Sequence, residues 1–223
     1  MVKMTLREWQ LIIKYPDNLI VQNSTLDEQD GITASSIGMS YQFVNALKFN
    51  KSINEYQIGN HQNLVLCSIS DSTDCRRRGN NIINRKNIIE TLEKSNITNE
   101  NNECLTYFMK LPQYKFIISP EGNGIDCHRH YEALMAGSIP IVEDNPTIRS
   151  KYGNVPILYT KDYSEINKIY LDEIYEKYLD TIFDFSQLFL DFWSHEEQEI
   201  IKLRGNNWCM KLAKMGYYSP TLL

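Results

Sequence analysis

Apolar residues in this chain come in short blocks divided by polar loops, and the clearest alternation lies in residues 115 to 144, KFIISPEGNGIDCHRHYEALMAGSIPIVED. Phe116, Ile117 and Ile118 form a compact apolar run of the kind carried by a strand buried on both faces. The run stops at Ser119-Pro120. Glu121-Gly122-Asn123-Gly124 then reads as a loop whose two glycines tolerate positive φ and let backbone approach a ligand closely. Asp126 is the expected N-cap of a helix from His128 to Ala136, Gly137 is placed for a left-handed C-cap, and Ile139 to Val142 predicts the next parallel strand. Together these make a βαβ unit.

Upstream, Asn63 to Ser70 (NLVLCSIS) predicts a buried strand, followed by a polar loop holding Arg76, Arg77, Arg78 and Gly79 and a helix over Arg85 to Lys94. Downstream, EDNPTIRSKYG predicts a loop with one helical turn. Val155 to Tyr159 predicts a strand, and Asp162 with Glu165 forms a capping box for an amphipathic helix through Tyr178. Residues 181 to 215 read as helical, with an aromatic stripe that needs a partner surface. The first 60 residues are the least regular: Leu6 to Ile13 as a short helix or strand, Asn18 to Gln22 as a strand, Ser24 to Ser36 as a polar loop and Ser40 to Lys48 as a helix.

The expected architecture is α/β: a Rossmann-like nucleotide-binding domain over 61 to 180, a small or incomplete acceptor-side region over 1 to 60, and C-terminal helices over 181 to 223 bracing the two. In such folds ligands sit outside the carboxyl ends of the strands, so the arginine loop and the Gly122 loop are expected to meet in one crevice. A glycine loop leading into a helix N-terminus suits a phosphate. Arg129 and Glu132 sit three apart on the helix just beyond, the arginine suited to fork a diphosphate and the glutamate to accept ribose hydroxyls. The same spacing equally describes an ordinary ion pair on a solvated helix face, and Arg76 to Arg78 equally a solvated charge run.

The stretch SPEGNGIDCHRHYEALMAGSIPIV resembles the donor-binding segment of exostosin-like glycosyltransferases, in the second half of the GT-B fold, and more loosely that of the α1,3-fucosyltransferases. The resemblance implies transfer of a sugar from a UDP- or GDP-sugar to a glycan or glycoprotein acceptor, with no cofactor and no essential metal, and with inversion at the anomeric carbon. It implies that Glu132 holds the ribose, that Arg129 and the backbone of Gly122, Asn123 and Gly124 hold the phosphates, and that Asp126 and His128 lie near the donor sugar. Arg76, Arg78 and Ser119 complete the expected donor set, and Arg129 and Asp126 join Asp30 as catalytic candidates. Asp27 and His61 are further candidates for the general base that an inverting enzyme needs. The alternative is a binding module for nucleotide sugars or glycans without turnover.

Composition narrows the classes. The chain has 223 residues and a net charge of −5, which argues against a nucleic-acid grip over the whole surface. Its five cysteines are odd in number and scattered, so they read as reduced thiols of a cytosol-like compartment rather than a disulfide framework. Cys127, His128 and His130 invite a zinc reading, but neighbours on one helical turn point in different directions and no second ligand pair has metal spacing. No apolar stretch reaches the ~18 residues that span a bilayer, and the first 20 residues lack a secretory h-region, so a soluble protein with no membrane span is expected.

Overall fold

The computed structural model describes residues 19–21, 32–34, 37–49, 61–74, 83–189, 191, 194–196 and 198. Two compact units divide the chain, Met1–Phe183 and Asp184–Leu223. In the first, β1 (Leu19–Val21) and β2 (Ile32–Ala34) form a parallel pair. A separate four-stranded parallel sheet has β3 (Asn63–Leu66), β4 (Tyr114–Ile118), β5 (Ile139–Glu143) and β6 (Leu158–Thr160) side by side in chain order. All four carboxyl ends therefore lie along one edge. Six helices are described: α1 (Tyr41–Phe49), α2 (Arg85–Lys94), α3 (Cys104–Lys110), α4 (His128–Met135), α5 (Pro146–Tyr152) and α6 (Lys168–Leu179).

Period-two alternation decides which side chains face which layer. Phe116, Ile118, Ile139 and Ile141 pack with Ile88 and Leu92 of α2 and with Leu171 and Tyr175 of α6. Leu66 and Ile117 pack with Phe43 of α1, Tyr107 and Phe108 of α3, and Ala133 of α4. Both faces are thus covered, as the unbroken apolar runs require. The pairing of Phe116 with Ile139 and of Ile118 with Ile141 fixes the register of the central strands, and a slip of one residue would turn these side chains to the opposite layer. Among the described residues no helix is long and apolar enough to cross a membrane.

Several expected boundaries hold. The helix over Arg85 to Lys94 is found with those limits, started by Asn84, whose side chain accepts from the Asn87 N–H. Gly137 takes φ +77, the left-handed stop expected after α4. Other expectations need correction. Asp126 is not the cap of α4; Cys127 occupies that position and its side chain makes no capping bond. Gly122 and Gly124 do not adopt positive φ. The segment after β5 is a seven-residue helix rather than one turn, because Asn145 caps it, Pro146 stands at its first position and Gly153 stops it.

Strand β6 starts later than Val155, since Ile157 donates back to Val155 O at 2.8 Å and Pro156 has no N–H to offer a ladder. Asp162 caps only a short 3-10 turn, and α6 is capped by Asn167, which accepts from Tyr170 N. Ser24 to Ser36 is not wholly loop, because β2 lies within it. Nor is the span from 181 to 189 an α-helix: Asp184 accepts from the Ser186 N–H and starts a 3-10 turn over Ser186–Leu188. Helical residues follow Ser194, at 195, 196 and 198. The expected element at Leu6 to Ile13 lies outside the described residues.

Candidate functional site

The carboxyl edge gathers three pieces: the segment leaving β3, the Ser119–Gly124 loop leaving β4, and the first turn of α4. Asn99 shapes the first of these, accepting from Ile69 N at 3.0 Å and donating to Ile69 O at 2.9 Å, so the chain leaves the ladder after Leu66. That turn carries Thr73 to the β4 loop. Thr73 comes beside Gly122, where the methyl of an alanine would lie 3.5 Å from its Cγ2. The segment after β3 therefore meets the β4 loop at Thr73, while the arginine loop expected there, Arg76 to Gly79, lies outside the described residues. Arg76, Arg78 and Asp30, like Asp27, lie outside the described residues.

Arg129 points to the β3 side. Its Nη1 donates to Ser68 O at 2.7 Å, and its guanidinium carbon stands 4.3 Å from the centre of the Tyr107 ring, which is cation–π geometry. Glu132 points elsewhere, to the segment that opens α1. Ser40 Oγ donates to Glu132 Oε1 at 2.5 Å and accepts from Phe43 N at 3.2 Å, so one hydroxyl caps α1 and binds the carboxylate together. Glu132 is 5% exposed. Arg129 and Glu132 form no ion pair among the described residues, although both act on Tyr107 and Cys104, and one oxygen of Glu132 is already engaged.

Asp126 is a hub. Its Oδ1 accepts from Tyr152 Oη at 2.7 Å, its Oδ2 accepts from Ile37 N at 2.9 Å, and Lys151 Nζ lies 3.6 Å away with both side chains shut off from solvent. It joins the loop, α5 and the 37–40 segment. His128 is exposed and shares a 2.7 Å hydrogen bond with Gly38 O. Ser119 is buried and shares a 2.7 Å hydrogen bond with His130 Nδ1, while its N–H donates to Ile141 O. Gly122 N donates to Gly124 O at 2.9 Å, which closes the loop on itself and leaves Asn123 exposed at its tip. His61 precedes β3 and pairs with Tyr175 Oη at 3.0 Å, at the amino edge of the sheet, opposite the site.

Cys127, His128 and His130 do not converge. The Cys127 thiol lies against Pro120 O and Gly124 O, and burial pushes its pKa up to about 11, so it stays protonated at neutral pH. Burial likewise holds the His130 imidazole down at about 4. The unfolded chain, with a histidine near 6.5, then binds a proton that the folded chain refuses, so stability falls as pH drops from about 6.5 to 4, on the order of 3 kcal/mol in all. Urea melts of wild type and His130→Gln across this window check it. The variant is expected to show a flatter slope, and equal slopes would remove His130 as the cause.

At the carboxyl end of β5, Glu143 Oε2 accepts from Glu121 N at 2.8 Å and from Tyr163 Oη at 3.3 Å. Asp144 pairs with Arg149 at 2.5 Å and lies 4.0 Å from Lys161. Both carboxylates organise the edge. Ser40, Tyr107 and Arg85 were invisible as site residues in the sequence, because each acts through a partner far along the chain.

Residues 78–181 match the family model of the RXYLT1 C-terminal domain, a xylosyltransferase-related family. Over that stretch the chain is glycosyltransferase-like. The RXYLT1-like stretch takes in α2 through α6 and β4 through β6, hence Asp126, His128, Arg129 and Glu132. It does not include β3, Ser68 or Ser40, which hold Arg129 and Glu132 in place. The family named is neither the exostosins nor the fucosyltransferases. A search of curated proteins finds no match.

Proposed function

We propose that the protein is a glycosyltransferase that takes a nucleotide-diphosphate sugar, carrying uridine or guanosine, and passes the sugar to a glycan or glycoprotein hydroxyl. The observation that carries this reading is the RXYLT1 match running through the β4–loop–α4–β5 unit. The acceptor oxygen attacks the anomeric carbon as the bond to the diphosphate oxygen breaks, and the acceptor proton passes to a general base. The diphosphate leaves with the electron pair. Arg129 and the uncapped first turn of α4 meet its growing charge, with Arg76 and Arg78 as further cations, so that side chains take the part a metal plays elsewhere. Inversion, the GT-B arrangement and the exostosin-like donor segment belong to this same reading, as do Asp30 or Asp27 as the base and Asn123 and His128 beside the donor.

Glu132 keeps the ribose role with one change: with Oε1 held by Ser40, its other oxygen takes one ribose hydroxyl. Glu132→Gln is then expected to weaken a nucleoside diphosphate about tenfold or more, the worth of a hydrogen bond to a charged group, and to leave pyrophosphate binding alone. Equal losses for both ligands would remove the ribose role.

A second reading, a binding module without turnover, is favoured by one observation: Asp126 is sealed and ion-paired, so that it offers no free carboxylate to the chemistry. Incubating the chain with UDP- and GDP-sugars and measuring released nucleoside diphosphate separates the two. Release or transfer supports the enzyme; binding with no release over hours supports the module.

A further inference from the structure

Arg85 is the first residue of α2 and is 5% exposed. Its Nε donates to Glu121 O at 2.9 Å and its Nη2 to Pro120 O at 3.1 Å. Its own N–H donates to Asp74 Oδ2 at 2.9 Å, which ties the segment after β3 to the same point. The guanidinium also explains Gly122, since the methyl of an alanine there would lie 3.0 Å from Nη2. The glycine serves a close approach rather than a positive φ.

Among the described residues no carboxylate forms an ion pair with the Arg85 guanidinium, although Asp74 accepts from its main-chain N–H. Lys110 pairs with Glu100, Lys115 with Asp172, Arg149 with Asp144, and the buried Lys151 with Asp126. Neither Arg85 nor Arg129 forms an ion pair among the described residues; both are held by main-chain carbonyls, and each opposes the other's charge. Arg85 is buried and Arg129 half-buried, and the carboxylates of Asp74 and Glu143 favour the Arg85 charge without forming an ion pair with it, so two guanidiniums held by main-chain carbonyls in one corner fit a site that takes further counter-charge from a ligand.

We infer that Arg85 is a positioning residue for a diphosphate-class anion: it clamps the Pro120–Gly122 main chain through two carbonyls and adds its charge to that of Arg129 beside the first turn of α4. The inference rests on the donor-site reading above, and one titration series tells their failures apart. Wild type, Arg85→Lys and Gly122→Ala are titrated with pyrophosphate, UDP and GDP by calorimetry, with melting curves for each. Arg85→Lys keeps a cation but cannot hold both carbonyls in a fork, so it is expected to bind every one of these anions about tenfold more weakly while still folded. Gly122→Ala, which pushes the loop off the guanidinium, is expected to shift affinity the same way, and it decides the matter if Arg85→Lys does not fold.

Variants that melt lower yet bind with wild-type affinity would make Arg85 merely structural and overturn the inference, leaving the donor reading intact. Pyrophosphate binding that weakens in the variants, with no nucleotide binding by wild type, would sink the donor reading and sustain the inference. Binding of none of the three anions by wild type would overturn both.

Discussion

Replacing Arg129 by alanine is expected to abolish measurable binding of nucleoside diphosphates, a loss of about a hundredfold, while most of the protein stays folded. The magnitude follows from a bidentate, charge-assisted contact to a phosphate, which is roughly twice as strong as a neutral hydrogen bond and acts here beside a helix N-terminus. The structural cost is smaller. Arg129 gives up one bond to Ser68 O and its stacking on Tyr107, together about 2 kcal/mol. Arg129→Lys tests the division: a lysine restores charge but not the planar fork, so it is expected to recover stability better than affinity. Calorimetry for binding and thermal melting for stability read the two effects separately. An alanine variant that binds at wild-type strength would take Arg129 out of the site.

Asp126 gives the opposite profile. Asp126→Ala strips the buried Lys151 ammonium of its carboxylate and the Tyr152 hydroxyl and Ile37 N–H of their acceptor. Breaking a buried pair from one side costs about 3–5 kcal/mol. For a protein of this size the melting temperature is then expected to fall by roughly 10 °C. Asp126→Asn keeps acceptor capacity but not charge and should fall between. A double replacement, Asp126→Leu with Lys151→Met, removes both charges and is expected to regain much of the loss. A folded Asp126→Ala protein with an unchanged melting point and no activity would reverse this assignment and return Asp126 to the chemistry.

The residues that made the site legible in the sequence are those whose partners are local. Phe116 to Ile118 and Ile139 to Val142 declare buried parallel strands, and Gly137 declares a helix stop. The site's long-range connections are not of that kind. Ser40 reaches Glu132 across 92 residues and Ile37 reaches Asp126 across 89, and nothing in either segment marks the other.

Asp126 shows the cost of local reasoning. It has the right residue type and spacing for an N-cap, but Ile37, Tyr152 and Lys151 together offer its carboxylate more than one helix end does, and Cys127 takes the cap position. Arg85 enters the sequence pattern only as the first residue of the helix over Arg85 to Lys94; its contact with two carbonyls 35 and 36 residues away reveals its part. Helix α3 went unmarked because only Tyr107 and Phe108 of its seven residues are buried.

The most direct test of the central claim is a calorimetric titration of the chain with UDP and GDP beside uridine and guanosine. If the carboxyl edge takes a nucleotide diphosphate, at least one diphosphate binds at micromolar to low-millimolar concentration and its nucleoside binds far more weakly. Nucleosides that bind as well as their diphosphates, or no binding of either diphosphate up to several millimolar, would contradict it.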